Sequence, residues 1–319
     1  MSSTKLLAND GIDDVGKAML EKEGIAVDVK RIPQDQLAGK LNEYQGIIVR
    51  SATEVRKDLI DKCPNLRVIA RGGVGLDNID VDYARSKGIV VLNTPAASSE
   101  SVAELVFAHI LIIARFLHQA NRTMPVSGNT DFVNLKKAYS GGIELKGKTL
   151  GIIGFGRIGQ ALGRIARGFG MHIIAVDPYI NVAELTGRTS DTTDNKVVLH
   201  TVPLDDLLHK ADVISLHVPG TGGALISDTE FAQMKDNVII VNAARGGAID
   251  ESALLASLAS GKVFGAGLDV FENEPTPSAE ILHHPRISLS PHIGASTHQA
   301  QANIGIELAQ KIIEVFRNG

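Results

Sequence analysis

The sequence predicts an α/β protein made of two Rossmann-like or flavodoxin-like domains, each with a parallel sheet, and with a cleft between them. Short apolar runs alternate with helix-like segments along most of the chain, which is the βαβ pattern of parallel sheets. A turn-rich stretch interrupts this alternation near the middle. The chain has 319 residues, and because domains usually comprise about 100 to 200 residues, we expect two domains.

The first domain is predicted from five apolar runs in the first hundred residues. The expected strands are 5–8, 26–29, 46–49, 67–70 and 89–92. A long helix is predicted from 99 to about 121, and because it is apolar on nearly every face we expect it at an interface. The stretch 123–148 contains Pro125 and several glycines, which predicts a loop or arm.

A second alternation then predicts a six-stranded, doubly wound sheet. Its expected strands are 149–153, 173–176, 213–217, 238–242, 263–268 and 287–289. The polar segment 183–196 is interpreted as a surface loop. A final helix is expected to begin near Ser296, where Ser296 and Gln299 fit a capping box, and to end near Phe316.

Composition excludes several classes of protein. The formal charge is −4, and no basic run is longer than Lys136-Lys137, so nucleic acid and anionic membranes are not expected partners. Cys63 is the only cysteine, which excludes an internal disulfide framework and a Cys-rich zinc site; no metal site is predicted. Neither a signal peptide nor an apolar stretch of roughly 18 residues is recognised, so we expect a cytoplasmic protein.

A glycine motif predicts a dinucleotide site. Strand 149–153 runs directly into Gly154-Phe155-Gly156-Arg157-Ile158-Gly159, and a helical pattern follows. Gly154 would allow the tight turn, Gly156 would let a pyrophosphate approach the backbone, and Gly159 would let the helix pack closely on the strand.

Asp177 indicates which dinucleotide is bound. It closes the next strand 18 positions after Gly159, near the ~20 expected for a carboxylate that binds the ribose 2′-hydroxyl. Its charge would repel a 2′-phosphate, and Pro178-Tyr179-Ile180 offers no cation to hold one, so NAD is favoured over NADP. The alternative interpretation is a surface aspartate at a strand end.

Three polar residues at strand exits are candidates for the chemistry. Arg245 carries a planar guanidinium suited to a carboxylate, His292 carries the side chain best suited to proton transfer near neutral pH, and Glu274 would support it. Spacing alone does not show that they meet, and each could be structural. Five other histidines compete for the acid-base role: His109, His118, His217, His283 and His284. His217 ends a strand and could line the cofactor cleft.

Seven runs of residues resemble the D-2-hydroxyacid dehydrogenase family, and within it the phosphoglycerate dehydrogenase branch. They are Ile-Val-Arg-Ser at 48–51, Gly-Val-Gly-Leu-Asp-Asn-Ile-Asp at 73–80, Ser-Val-Ala-Glu-Leu at 101–105, the glycine motif, Ala-Ala-Arg-Gly-Gly at 243–247, Leu-Asp-Val-Phe-Glu-Asn-Glu-Pro at 268–275 and Ser-Pro-His-Ile-Gly-Ala-Ser at 290–296. The resemblance covers nearly the whole chain. It implies a discontinuous substrate-binding domain, 1–98 plus 296–319, a Rossmann domain that binds NAD at 99–295, and a homodimer.

The resemblance also implies residue roles. Arg245 would bind the substrate's carboxylate and carbonyl, Glu274 and His292 would form the acid-base dyad, and Asp269 would bind the nicotinamide carboxamide. The residues implied to bind substrate are Arg50, Ser51, Val74, Gly75 and Ser98. Those implied to bind cofactor are Gly154, Gly156, Arg157, Ile158, Gly159, Asp177, His217, Pro219, Ala243, Asp269 and Gly294.

The implied activity is NAD-dependent oxidation of D-3-phosphoglycerate to 3-phosphohydroxypyruvate, a step of serine biosynthesis. The alternatives are reduction of glyoxylate, hydroxypyruvate or another 2-oxo acid, or an NAD(H)-sensing binding protein without turnover. Ser98 stands where the branch often has Asn, and Val74 where it often has Thr; these departures concern substrate choice. Lys136 or Lys137 could supply a substitute phosphate donor. Because the sequence ends at Gly319, no regulatory domain is expected.

Overall fold

The structure is a computed structural model that describes residues 4–187, 195–220 and 222–318. They form two compact units: the residues up to Ser99 together with those from Ala295 onwards, and Glu100–Gly294. Each unit contains its own parallel sheet and its own buried apolar clusters. The predicted α/β class with two parallel sheets is confirmed.

The first unit is built on five short strands that all run parallel. The strands are β1 Lys5–Ala8, β2 Ala26–Val29, β3 Gly46–Val49, β4 Val68–Arg71 and β5 Val90–Asn93. The helices between them are α1 Asp14–Lys22, α2 Gln34–Leu41, α3 Lys57–Asp61 and α4 Val81–Ser86. The sheet order is β2-β1-β3-β4-β5, and all residues of β3 are buried, as expected for a parallel strand covered on both faces. β4 and β5 begin one residue later than predicted.

The C-terminal helix, His298–Asn318, belongs to the first unit and packs on α1. Their contact is close because two glycines face each other: a Cβ added at Gly16 would lie 2.4 Å from the carbonyl oxygen of Gly305. The predicted capping box at Ser296 is wrong. Thr297 caps the helix instead, since its Oγ1 accepts a hydrogen bond from Ala300 N at 3.1 Å.

The second unit contains the predicted six-stranded, doubly wound sheet. Its strands are β6 Thr149–Ile153, β7 His172–Val176, β10 Val213–Leu216, β11 Val238–Asn242, β12 Val263–Leu268 and β13 Ile287–Leu289, with the pair β8 Val182–Gly187 and β9 Asn195–His200 lying outside it. Its helices are α5 Ser99–Ala114, α6 Leu117–Ser127, α7 Phe132–Ala138, α8 Arg157–Gly168, α9 Leu204–Lys210, α10 Asp228–Gln233, α11 Glu251–Ser260 and α12 Ala279–His283. The order β13-β12-β11-β10-β6-β7 reverses direction between β6 and β10.

The single long helix expected from 99 to about 121 is wrong. Phe116 has φ 54° and separates α5 from α6, which meet at an angle of 59°. The end of α5 is satisfied by a distant segment, because Ile143 N donates to the carbonyl oxygen of Ala114 at 2.8 Å. The expected loop at 123–148 is also partly wrong, since α6 continues to Ser127 and α7 lies within it. The amino-acid composition of these segments gave no sign of such contacts with distant residues.

The surface loop predicted at 183–196 is wrong at both ends. Strands β8 and β9 pair there as an antiparallel hairpin, while 188–194 lies outside the described residues. Leu185 explains the pairing, because it is fully buried and fits against α8, where a Cβ added at Gly163 would lie 2.9 Å from its Cδ1. The burial of Leu185 thus favours a strand at this place, although its neighbours in the sequence are mostly polar.

Over 4–187, 195–220 and 222–318, no single helix has the length and apolar character to cross a membrane; α5 and α6 meet those criteria only when taken together as a bent pair. Within the same ranges, no group of three or more His, Cys, Asp or Glu side chains is arranged to hold a metal ion.

Candidate active site

The glycine-rich turn between β6 and α8 lies where the order of the sheet reverses, the place at which open α/β sheets bind ligands. Gly154 has φ 93°, and a Cβ there would lie 2.5 Å from the carbonyl oxygen of His217, which follows β10. A Cβ at Gly159 would lie 2.4 Å from the carbonyl oxygen of Gly154. Both positions therefore require glycine for close packing.

The end of α8 beside this turn is open to an anion. Gly156 precedes the first turn of α8, which begins at Arg157 and Ile158, and no described side chain caps it. Apart from Gly156 itself and its two neighbours in the chain, no described atom lies within 4 Å of a Cβ added at this position. The first amides of a helix carry unsatisfied donors and a partial positive charge, so this site fits the pyrophosphate of a dinucleotide.

Asp177 is held beside the glycine turn at the end of β7. Its Oδ2 accepts from Phe155 N at 2.8 Å, and its Oδ1 accepts from Tyr179 N at 2.8 Å and Ile180 N at 3.0 Å. These three amides hold the carboxylate in place beside the glycine turn. Its charge disfavours a phosphate there, so the residues present fit NAD.

His217 and Pro219 follow β10 at the same edge of the sheet. The Nε2 of His217 lies 3.0 Å from Ser215 Oγ, and its Nδ1 is buried with no hydrogen-bond partner among the described residues. Burial lowers the pKa of this imidazole from 6.5 to about 4. The ring is therefore neutral at pH 7. Pro219, two residues further along, is exposed.

The turn that carries Arg245 is held by the last residue of β11. Asn242 is buried; its Oδ1 accepts from Ala244 N at 3.0 Å, and its Nδ2 donates to the carbonyl oxygen of Arg245 at 2.8 Å. A Cβ added at Gly246 would lie 1.7 Å from the carbonyl oxygen of Phe271. This turn, with Ala243 at its start, is thus pressed against the segment that leads to Glu274.

Glu274 and His292 meet side chain to side chain. His292 Nδ1 lies 2.8 Å from Glu274 Oε2, and Glu274 Oε1 accepts from Phe271 N at 3.0 Å. The peptide bond from Glu274 to Pro275 is cis. Since a carboxylate only accepts, Nδ1 of His292 carries a proton, and Nε2 is the atom that can take up or release another.

The dyad lies at the edge of an apolar cavity of about 420 Å³ within the second unit. Phe271, Pro277, Leu282 and Leu289 contribute to its wall. The side chain of His292 is 49% exposed, so its ring is accessible to a ligand. Of the competing histidines, His109 is buried, while His283 contacts its own helix; His292 is the only described histidine in an ion-pair contact with a carboxylate.

Asp269 directly follows β12 and is almost fully buried, with 1% of its surface exposed. Its Oδ1 accepts from Ser290 Oγ at 2.6 Å and Ile293 N at 2.8 Å, and its Oδ2 accepts from Gly294 N at 2.9 Å. The carboxylate thus holds the two residues after His292 in place. Ser290 was not singled out in the sequence, although a hydroxyl two residues before the histidine was visible there.

The substrate residues expected from the first unit follow its strands. Arg50 comes directly after β3, and its backbone N donates to Asp10 Oδ2 at 2.7 Å; both residues line a cavity of about 240 Å³ in this unit. Asp10, which follows β1 at the point where this sheet also reverses order, was missed. Ser51 and Val74 are exposed and Gly75 is half-buried. Ser98 differs, because it is only 2% exposed.

Comparison with known proteins finds a matching family model and several similar proteins. Residues 107–294 match the family model described as D-isomer specific 2-hydroxyacid dehydrogenase, NAD binding domain. The chain is 45% identical to hydroxypyruvate reductase of Thermotoga maritima, over 98% of this chain and 99% of the relative. It is 42% identical to D-3-phosphoglycerate dehydrogenase of Methanocaldococcus jannaschii, over 98% of this chain but 57% of that relative's length.

Among solved structures, a glyoxylate reductase from Paecilomyes thermophila superposes with a TM-score of 0.81 at 30% identity, covering 98% of this chain and 95% of that chain. The superposition extends over nearly the whole length of both chains, so that reductase has the same fold. The relatives differ in the substrates that their names state.

Proposed function

Because the chain belongs to the D-isomer specific 2-hydroxyacid dehydrogenase family, we propose that it interconverts a D-2-hydroxy acid and its 2-oxo acid with NAD, using Arg245, Glu274 and His292. The observation that carries this proposal is the 2.8 Å contact between His292 Nδ1 and Glu274 Oε2. Bound NAD would supply the hydride acceptor. The glycine turn would hold its pyrophosphate and Asp177 its ribose.

The acid-base step follows from the orientation of the imidazole. Glu274 accepts the proton on Nδ1, which leaves Nε2 to take the proton of a substrate hydroxyl during oxidation and to return one during reduction. As Nε2 takes up that proton, the imidazole becomes cationic, and the adjacent carboxylate stabilises this form. Arg245 would bind the substrate's carboxylate and carbonyl oxygen through its planar guanidinium.

For the substrate we propose D-3-phosphoglycerate, oxidised to 3-phosphohydroxypyruvate. Similarity to D-3-phosphoglycerate dehydrogenases over 98% of the chain supports this assignment, and Arg50 and Ser51 of the first unit are the proposed donors to the phosphate end. In this proposal the second unit binds NAD, the first unit binds substrate, and two copies of the chain form a homodimer.

A second candidate is reduction of hydroxypyruvate, without a phosphate site. It is favoured by similarity to the Thermotoga maritima hydroxypyruvate reductase, which this chain matches over 99% of that relative's length. The burial of Ser98 also favours it, because a side chain that is 2% exposed offers little to a substrate.

A pairwise assay decides between these substrates. Purified protein is given NAD with D-3-phosphoglycerate or D-glycerate, and NADH with 3-phosphohydroxypyruvate or hydroxypyruvate. If the phosphate is bound, kcat/KM for the phosphorylated member of each pair is higher by at least about tenfold, the contribution of a charge-assisted hydrogen bond of ~1.5 kcal/mol. Equal or reversed values support the second candidate. Absence of turnover on every 2-oxo acid, despite NADH binding, would contradict both.

A further inference from the structure

A chain of side-chain hydrogen bonds connects helix α5 to the turn that carries His292. The Nδ1 of His109 lies 2.8 Å from Ser288 Oγ, and its Nε2 lies 2.9 Å from Ser290 Oγ. Ser290 Oγ in turn donates to Asp269 Oδ1 at 2.6 Å. Ser288 and Ser290 come 179 and 181 positions after His109 in the sequence, so only the fold brings them together.

The direction of each hydrogen bond follows from the protons available. Ser290 has one hydroxyl proton, which it donates to the carboxylate of Asp269. Towards His109 it can therefore only accept, so Nε2 of His109 carries a proton. The neutral ring then has an unprotonated Nδ1, which accepts the hydroxyl proton of Ser288. Burial lowers the pKa of His109, which agrees with a neutral ring.

The site is built to hold this arrangement. His109 is 3% exposed, Ser288 4%, Ser290 9% and Asp269 1%. Space for the imidazole is left by β12, where a Cβ added at Gly267 would lie 2.8 Å from the Cβ of His109. Buried polar networks whose members are all satisfied are rigid, and removing one member leaves the others unpaired.

This series of hydrogen bonds ends at the backbone of the two residues that follow His292. Asp269 accepts from Ile293 N at 2.8 Å and Gly294 N at 2.9 Å, while His292 has φ 54°, in the left-handed region. A residue other than glycine pays free energy for that conformation and keeps it where neighbouring contacts hold it. The bonds to Asp269 are such contacts.

We propose that His109 is a positioning residue for the acid-base centre, acting through Ser290 and Asp269 to hold the turn from which His292 reaches Glu274. The inference rests on the acid-base role proposed for that dyad. His109 does not touch the reacting atoms. Its ring fixes the hydroxyl of Ser290, which fixes the carboxylate, which fixes the backbone on the C-terminal side of His292.

The test compares three substitutions along the network. His109→Leu removes both ring nitrogens, and we expect kcat/KM to fall about tenfold, within the range for small displacements of a catalytic group, with a shift in the midpoint of its pH profile. His109→Gln keeps an N–H that can reach Ser290 and should recover most of the activity and the wild-type profile. Ser290→Ala, a smaller change, should behave like His109→Leu, and it tests the proposal if the leucine variant does not fold.

Ile110→Ala is the matched control. It removes a fully buried side chain from the next position of α5 without changing a residue of the hydrogen-bond network, so it lowers the unfolding temperature but should leave the pH profile unchanged.

Three outcomes would overturn the inference: wild-type kinetics of His109→Leu, equal impairment of His109→Gln and His109→Leu, or an equal shift of the pH profile in Ile110→Ala. Wild-type turnover by His292→Ala would instead contradict the proposed function itself, and the inference with it.

Discussion

Nδ1 of His292 lies 2.8 Å from Oε2 of Glu274, although 18 residues separate them in the chain. If this pair moves the substrate proton, His292→Ala should lower kcat by ~100 to 10,000-fold, the range for loss of a general acid-base, while the Kd for NADH stays near the wild-type value. Steady-state kinetics and NADH fluorescence titration measure the two quantities. His283→Ala is the control and should keep full turnover, because His283 is exposed and its Nδ1 lies 2.9 Å from the carbonyl oxygen of Ala279 in its own helix.

Arg245→Lys tests the proposed carboxylate clamp. Lysine keeps the positive charge but lacks the planar fork that matches a carboxylate at two points. We expect kcat/KM for the 2-oxo acid to fall by about tenfold or more, as for loss of one charge-assisted hydrogen bond of ~1.5 kcal/mol. Arg164→Lys, at a surface residue of α8 that pairs with Glu100, should have no such effect. Unaltered kinetics of Arg245→Lys would remove the residue from the site.

Asp177→Asn tests the preference for NAD. The amide removes the charge that repels a 2′-phosphate, so the ratio of Kd for NADPH to Kd for NADH should fall towards one. The same change replaces an oxygen that accepts backbone N–H groups, so a lower unfolding temperature is also expected. Asp206→Asn, an exposed change on α9, is the control. If the wild-type protein bound NADPH more tightly than NADH, the role proposed for Asp177 would be contradicted.

Gly159→Ala tests the packing of α8 on β6. Its methyl group would lie 2.4 Å from the carbonyl oxygen of Gly154 and 2.9 Å from Ile152 Cγ2, so the helix must shift; we expect a loss of ~1–3 kcal/mol in the free energy of unfolding and weaker NAD binding. A methyl group at Gly168 in the same helix would meet no described atom within 4 Å beyond its chain neighbours and the nearby backbone of the helix, so Gly168→Ala is the control. It should be neutral or stabilising by up to ~1 kcal/mol. Urea denaturation measures both.

Stability should fall as the pH decreases from about 6.5 to 4. The pKa of His217 is lowered to about 4 by burial, so over this range the unfolded chain binds a proton that the folded chain does not, and the free energy of unfolding decreases. The expected contribution is roughly 2–3 kcal/mol. His217→Gln should flatten the dependence measured by urea denaturation at several pH values. An unchanged slope would contradict the lowered pKa.

The positions of the strands were predictable because each is a short apolar run bounded by turn residues. β1, β6, β11 and β12 begin and end where the sequence indicated. The hairpin of β8 and β9 was missed because Leu185 is one apolar residue in a polar segment, and its burial against α8 depends on the gap at Gly163. The break at Phe116 was missed because the group that bonds the last carbonyl oxygen of α5, Ile143 N, lies far along the chain.

The sequence alone determined the glycine turn, the placement of Asp177 after the next strand and the nomination of Arg245, Glu274 and His292, because these depend on residue type and on order along the chain. Only the tertiary structure decided that Glu274 and His292 touch, and that His109 is buried with its Nε2 2.9 Å from Ser290 Oγ. The physical reason is that hydrogen bonds between side chains depend on distances of a few ångströms between segments far apart in the chain. Those distances are set by how helices and strands pack.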